Sequence, residues 1–262
     1  SWSPYASHGV SPDQSSAMKD APGPPLFPEQ NSSQKPEKDV PHYHGHRDRL
    51  RQKFVETDGA GLADYEMLEL LLCGFIPRKD VKPIAKRLLT RFGSLSAVFA
   101  APPKALQSVD GIGETLSIYL KTVHHLHLRA TAQELNGREV LSSWQKVQDY
   151  VRVRLQHDEV ESFRVLFLDR KNCLISDEEL GRGTVDHAPV YPREIAKRVL
   201  ELSSSSIILV HNHPSGDPTP SRADISMTRE IIDVLDSLEV QVHDHLVVGR
   251  QGVTSMRAAG LI

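Results

Sequence analysis

The sequence predicts a two-domain protein, an all-α module followed by a layered α/β domain with a mixed sheet. Three observations lead there. Between Gly45 and about residue 132 the apolar residues recur at helical spacing, with no alternating run among them. After Asn136-Gly137, a turn dipeptide, helical patterns alternate with short runs rich in β-branched and aromatic residues, as expected of helices packed on a sheet. Ahead of both, residues 1–40 hold seven of the seventeen prolines and few aliphatics, too little apolar surface to offset the entropy of ordering. The expected divisions are a disordered tail over 1–40, a helical domain over 41–132 and an α/β domain over 133–262. Trp2, Tyr5, Leu26 and Phe27 are the tail's few candidate contacts.

The helical module begins at HRDRLRQKFVE, where Leu50 and Phe54 lie four apart. ADYEMLELLLCGF then places Tyr65, Leu68, Leu71 and Leu72 on one face and stops at Gly74 and Pro77. Further helices are expected at VKPIAKRLLTRF, over 94–100 and over 102–108. In LQSVDGIGETLSIYLKTVHHL, apolar Leu106 and Val109 precede Gly111-Ile112-Gly113, and a helix opens at Glu114. That stretch resembles the second half of a helix-hairpin-helix element. The resemblance implies backbone N–H groups at Gly111, Ile112 and Gly113 that approach a DNA phosphate with no side chain in the way. His124, His125 and His127 scatter around a helix at their spacing and are expected to be solvated or capping residues.

In the α/β part a helix is expected at SWQKVQDYVRVRL. SFRVLFLDRKNCLIS reads as a strand hairpin around Asp169 to Asn172. YPREIAKRVLELS has Pro192 just inside its start and Ile195, Val199 and Leu202 on one face. A buried strand follows at Ile207 to Val210, then a helix with Ile225, Thr228, Ile232 and Leu235, and a closing strand pair in QVHDHLVVGRQGVTSM.

Composition narrows the function. With 262 residues, 39% hydrophobic and 25% charged, the chain can form one or two globular cores. Its longest apolar run, Leu70 to Ile76, falls far short of the roughly 20 residues that cross a bilayer, so no membrane partner is expected. The first twenty residues carry prolines and polar groups in place of a signal peptide's basic and apolar stretches. Cys73 and Cys173 both sit in apolar surroundings, so buried, reduced thiols and a cytoplasmic location are expected. The net charge of -3 is unevenly spread. Residues 41–130 carry thirteen Lys/Arg against nine Asp/Glu, and residues 131–262 fifteen against twenty, which is compatible with a nucleic-acid contact by the first module.

The chemistry concentrates in SIILVHNHPSGDPTPSRADI. On an extended chain His211 and His213 leave the same face while Asn212 points the other way. The prolines and Gly216 then break the strand, and Ser221-x-x-Asp224 reads as an N-cap with an acidic third position. A loop this short can return Asp224 to the histidines. Two nitrogens and one oxygen would leave a tetrahedral Zn2+ one open position for water, the mark of a catalytic rather than a structural zinc site. Asn212 is expected to matter little to the metal; His245, on a later strand, is expected to be a satisfied core histidine, with the orienting of a ligand as the alternative.

His211-x-His213-Pro214, followed by Ser221-x-x-Asp224, resembles the signature of the JAMM (JAB/MPN) zinc metalloproteases. The wording HNHPSGDPTPSRAD is similar to their bacterial RadC branch. The likeness runs over residues 42–262 and takes in Tyr191-Pro192-Arg193-Glu194, Asp244-His245-Leu246 and the closing glycine-leucine. It implies a cytidine-deaminase-like α/β fold with Zn2+ held by His211, His213 and Asp224, and a peptide or protein substrate cleaved at a peptide or isopeptide bond. It also implies a glutamate as general base, for which Glu161 is the best match and Glu194 the runner-up, and a Ser221 that stabilises the oxyanion. The chain is too compact after Asp169 to show the insertions with which deubiquitinating members grip ubiquitin. Two other readings compete: a DNA-associated binding or scaffold protein, and a metal-assisted nuclease, which would normally want two carboxylate-rich metal sites.

Overall fold

A computed structural model describes residues 43–183 and 190–262. The disordered tail expected over 1–40, with its aromatic residues, lies outside the described residues. His42–Ile262 form one compact unit. It opens with α1 (Tyr43–Thr57), α2 (Asp64–Phe75), α3 (Lys82–Phe92), α4 (Leu95–Ala100), α5 (Pro103–Gln107) and α6 (Glu114–Leu135).

Local signals set these helices. The Glu66 carboxylate accepts from Ala63 N–H at the start of α2, and Ser94 Oγ accepts from Ala97 N–H at the start of α4. Gly93, at φ 88°, ends α3 in the left-handed conformation that glycine adopts without strain. Their shared core joins Leu68, Leu72, Ile84, Leu88, Val98, Leu106 and Leu120. In the turn between α5 and α6, Ile112 is buried in this core. Gly111 stands at φ +94° with Ile84 so close that an added Cβ would lie 2.8 Å from it. Gly113 is different: its backbone is extended, nothing would meet a Cβ within 4 Å, and it begins α6 without a side-chain cap.

Helix α6 runs unbroken through position 132, where the sequence leads one to expect a division. Leu128 and Leu135, in its second half, leave the helical core and pack with α7 (Trp144–Leu155) against the sheet. The sheet comprises β1 (Ser162–Leu168), β2 (Leu174–Arg182), β3 (Ser206–Asn212), β4 (Gln241–Gly249) and β5 (Gly252–Ser255), ordered β2-β1-β3-β4-β5. β3 and β4 are parallel and the other neighbours antiparallel, so the sheet is mixed.

Both faces of the sheet are covered. Leu166, Ile208, Val210, Leu246 and Val248 face α7. Val165, Phe167, Ile207 and Leu209 face α8 (Pro192–Leu202) and α9 (Arg222–Asp236). That is why β1 and β3 are buried at every position and read as continuous apolar runs. The β1–β2 turn falls where expected, with Asn172 at φ 56° and Asp169 Oδ1 accepting from the N–H groups of Lys171 and Cys173. Cys173, expected to be buried, is only half-buried because it ends that turn; Cys73 is buried as expected.

Candidate metal centre

The C-terminal end of β3 delivers His211 and His213, and the first turn of α9 delivers Asp224. One ligand atom from each lies within 4.8 Å of the others. His211 Nε2 is 2.9 Å from His213 Nε2, and the two Asp224 oxygens lie 3.5 Å from His211 Nε2 and 3.4 Å from His213 Nε2. A four-coordinate ion with bonds of about 2.0–2.1 Å wants its ligand atoms about 3.3 Å apart. The spacing fits such an ion.

The hydrogen bonds behind the ligands fix which nitrogens face inward. The carbonyl of Asp224 can only accept, so the Thr228 hydroxyl, 2.6 Å away, donates to it. Thr228 Oγ1 then accepts from His245 Nδ1–H at 2.6 Å. His245 Nε2 is left to accept from His211 Nδ1–H at 2.7 Å, and His211 Nε2 is left with its lone pair toward His213 and Asp224. His213 Nδ1–H likewise donates to the Asp217 carbonyl at 2.8 Å, which frees His213 Nε2. Two nitrogen lone pairs and a carboxylate then converge, an arrangement that a metal ion, or a proton shared with Asp224, satisfies. Burial holds the His245 imidazole well below the ordinary histidine range, as this neutral relay requires. For Asp224 burial opposes the charge, but the neighbouring His211 and His213 imidazoles and Ser221 outweigh it and hold the carboxyl well below the usual carboxylate range.

Two devices hold Asp224 and the loop before it. Ser221 N–H donates to Asp224 Oδ2 at 2.7 Å and Asp224 N–H donates to Ser221 Oγ at 3.1 Å, a reciprocal capping box that fixes the carboxylate's direction. The loop after His213 is clamped to the β4–β5 hairpin. His213 N–H donates to Val248 O, Gln251 N–H to Gly216 O, and the Arg250 guanidinium to the carbonyls of Pro214 and Ser215. Contact is so close that a Cβ on Gly249 would lie 2.3 Å from Gly216 O.

Glu161 immediately precedes β1. Phe163 pairs with His211 at the end of the antiparallel β1–β3 ladder, and that register, continued two residues beyond it, sets Glu161 opposite His213. The Asp224 carboxylate raises the His213 imidazole above its ordinary value against the effect of burial, and the Glu161 charge adds to the rise. Glu194 instead lies in the first turn of α8, more than half exposed and 3.4 Å from its neighbour Arg193. Gly111, Ile112 and Gly113 belong to the α5–α6 turn and take no part in this centre. What the motif does not announce is the rest of the support: Thr228 one helical turn beyond Asp224 and Arg250 in a hairpin, beside His245 on the parallel strand. His245 is fully buried and bonded at both nitrogens, so it is a core histidine that also orients a ligand.

Comparison with protein-family models matches residues 141–261 to the RadC-like JAB domain. The matched stretch contains every residue of the centre just described.

Proposed function

We propose that the protein, whose residues 141–261 match the RadC-like JAB domain, is a zinc-dependent hydrolase of the JAMM type that cleaves a peptide or isopeptide bond. The observation that carries this reading is the convergence of His211 Nε2, His213 Nε2 and the Asp224 carboxylate, with both imidazoles turned by their own hydrogen bonds to face a cation. Bound there, Zn2+ supplies Lewis acidity that polarises a carbonyl and acidifies water. Glu161, opposite His213, takes the proton of the attacking water and returns it to the leaving amine. Ser221 Oγ, held by Asp224 N–H, turns its own proton to the oxyanion as the carbonyl is attacked. The helical region, with its helix-hairpin-helix-like turn, serves to localise the hydrolase.

The test pairs elemental analysis with cleavage of a peptide library. Wild type is expected to carry about one zinc per chain and to cleave; His213→Ala to lose the metal; and Glu161→Gln to keep the metal while losing about 10²–10⁴-fold in rate. A zinc-loaded wild type that cleaves no peptide or isopeptide probe sinks the reading.

A DNA-associated role has its own supporting observation. The uncapped start of α6 at Gly113 adjoins a groove lined by Lys86, Arg91, Ser108 and an Arg87–Asp110 ion pair, so a phosphate held by the N–H groups of Gly111 and Gly113, that of Ile112 being bonded to the Val109 carbonyl, would have Lys86 and Arg91 beside it. Duplex affinity that falls with salt, and weakens on Arg91→Ala, is the expected result. Salt-independent affinity, or no binding, removes this role. The nuclease reading lacks such support: among the described residues His211, His213 and Asp224 form the one cluster of this kind, with no second carboxylate-rich site.

A further inference from the structure

Asn212 lies between the two histidine ligands but on the opposite face of β3, where it is 1% exposed. Its side chain makes three hydrogen bonds, all to one segment some fifty residues earlier. Asn212 Oδ1 accepts from Ser162 N–H at 2.8 Å. Asn212 Nδ2 donates to the carbonyl of Val160 at 3.0 Å and to that of Asp158 at 3.4 Å. The amide can sit only this way round, because reversing it would set NH2 against an N–H and its oxygen against two carbonyls. Glu161 falls in the middle of the bonded segment. From the other side Gly183 N–H donates to the Glu161 carbonyl at 3.0 Å.

We propose that Asn212 is the positioning residue for Glu161: it extends the β1–β3 ladder through its side chain and holds residues 158–162 so that Glu161 stays opposite His213. The ladder's last regular pair is Phe163 with His211. Beyond it the Asn212 amide replaces the backbone partner that Ser162 would otherwise have. One residue of β3, set between the two histidines in sequence, thus braces the base-bearing turn from the opposite face of the strand. A side chain that only filled the core would be apolar here; this one satisfies three backbone groups just beyond the end of the β1–β3 ladder. The inference rests on the reading of Glu161 as the base.

The test compares Asn212→Ala and the isosteric Asn212→Asp, each alone and combined with Glu161→Gln. Asp keeps an acceptor for Ser162 N–H but sets oxygen against the Val160 carbonyl. Both variants are expected to retain about one zinc per chain and to lose about 10–100-fold in kcat, with KM within about twofold, as for a base displaced by about an ångström. Because Asn212 acts through Glu161, the double variants are expected to be no slower than Glu161→Gln alone. Losses that multiply in the double variants, a wild-type rate in Asn212→Asp, or loss of zinc in Asn212→Ala overturns the proposal. Hydrogen exchange supplies a readout that does not need turnover: the Ser162 amide should exchange at least about tenfold faster in Asn212→Ala, while amides of the β3–β4 ladder keep their protection. Unchanged exchange at Ser162 overturns the brace even in an active enzyme. A wild type that cleaves nothing refutes the hydrolase reading, and the exchange experiment still decides the brace.

Discussion

At His245 the ring is fully buried and bonded on both nitrogens, so the tautomer of His211 depends on a hydroxyl that His211 never touches. Thr228→Val removes that hydroxyl at nearly constant volume and leaves His245 Nδ1–H without its acceptor. Such supports of a ligand typically account for 10–100-fold in metal affinity, so zinc competition with a chromophoric chelator is expected to show a loss of about that size. Thr228→Ser, which keeps the oxygen, is expected to stay within a few-fold of wild type. Equal affinity in wild type and Thr228→Val would mean that the relay does not set the ligand's tautomer. His124 offers a separate residue-scale case. Burial, with the charge of Lys121 second, lowers its imidazole to about 4. A histidine lowered by folding contributes stability that is complete above about pH 6.5 and is lost as pH falls through its folded value, because the unfolded chain binds the proton more readily. His124→Gln should therefore gain on wild type in urea midpoint between pH 7 and pH 4.5, and an unchanged difference would refute the assignment. Asp158, raised by burial, acts in the opposite direction near the acid end and is common to both proteins.

Among the elements, the β4–β5 hairpin and the loop after His213 meet so closely that Gly249→Ala cannot be accommodated without moving the Gly216 peptide. The expected cost is about 1–3 kcal/mol of stability, accompanied by weaker metal binding because the loop leads from His213 to the α9 cap. Thermal melts with and without zinc check both. The α5–α6 turn offers a contrast between its two glycines. Gly111→Ala strains a left-handed residue and strikes Ile84, whereas Gly113→Ala meets open space and should leave the melting temperature within a degree or two. The helices, the strand hairpins and the His211, His213, Asp224 set were legible in the sequence because their signals are local: a period, a turn dipeptide, an i, i+2 pair, a capping box. Asn212 reads from the sequence as of little consequence to the metal, and its bonds to residues 158–162 become visible only once β1 and β3 are paired. Thr228 and His245 are 17 residues apart and meet only through the parallel β3–β4 pairing. The continuation of α6 past 132 was hidden for a related reason: Leu128 and Leu135 fit a helix, but nothing local says which core they enter.

For the whole molecule, α6 belongs to both packed regions, its first half to the helical core and its second to the sheet. A fragment beginning at residue 133 would lose Leu128 from the core and keep Leu135 without its helix. Burying such a side chain is worth about 1.5–3 kcal/mol, so a fragment of 133–262 is expected to melt well below one of 114–262. Equal melting temperatures would show that α6 is not a shared support. No helix among the described residues is long and apolar enough to cross a membrane. The facing imidazole nitrogens have a consequence at this scale as well. Asp224 begins α9 and the histidines end β3, so an ion held between them ties two secondary-structure elements that the chain otherwise joins only by a loop. Its binding free energy then adds to the native state as RT ln(1 + [ion]/Kd), about 2.7 kcal/mol at a hundredfold excess over Kd. The thermal midpoint of the fold would rise with free zinc, making resistance to unfolding and to proteolysis a gauge of metal supply.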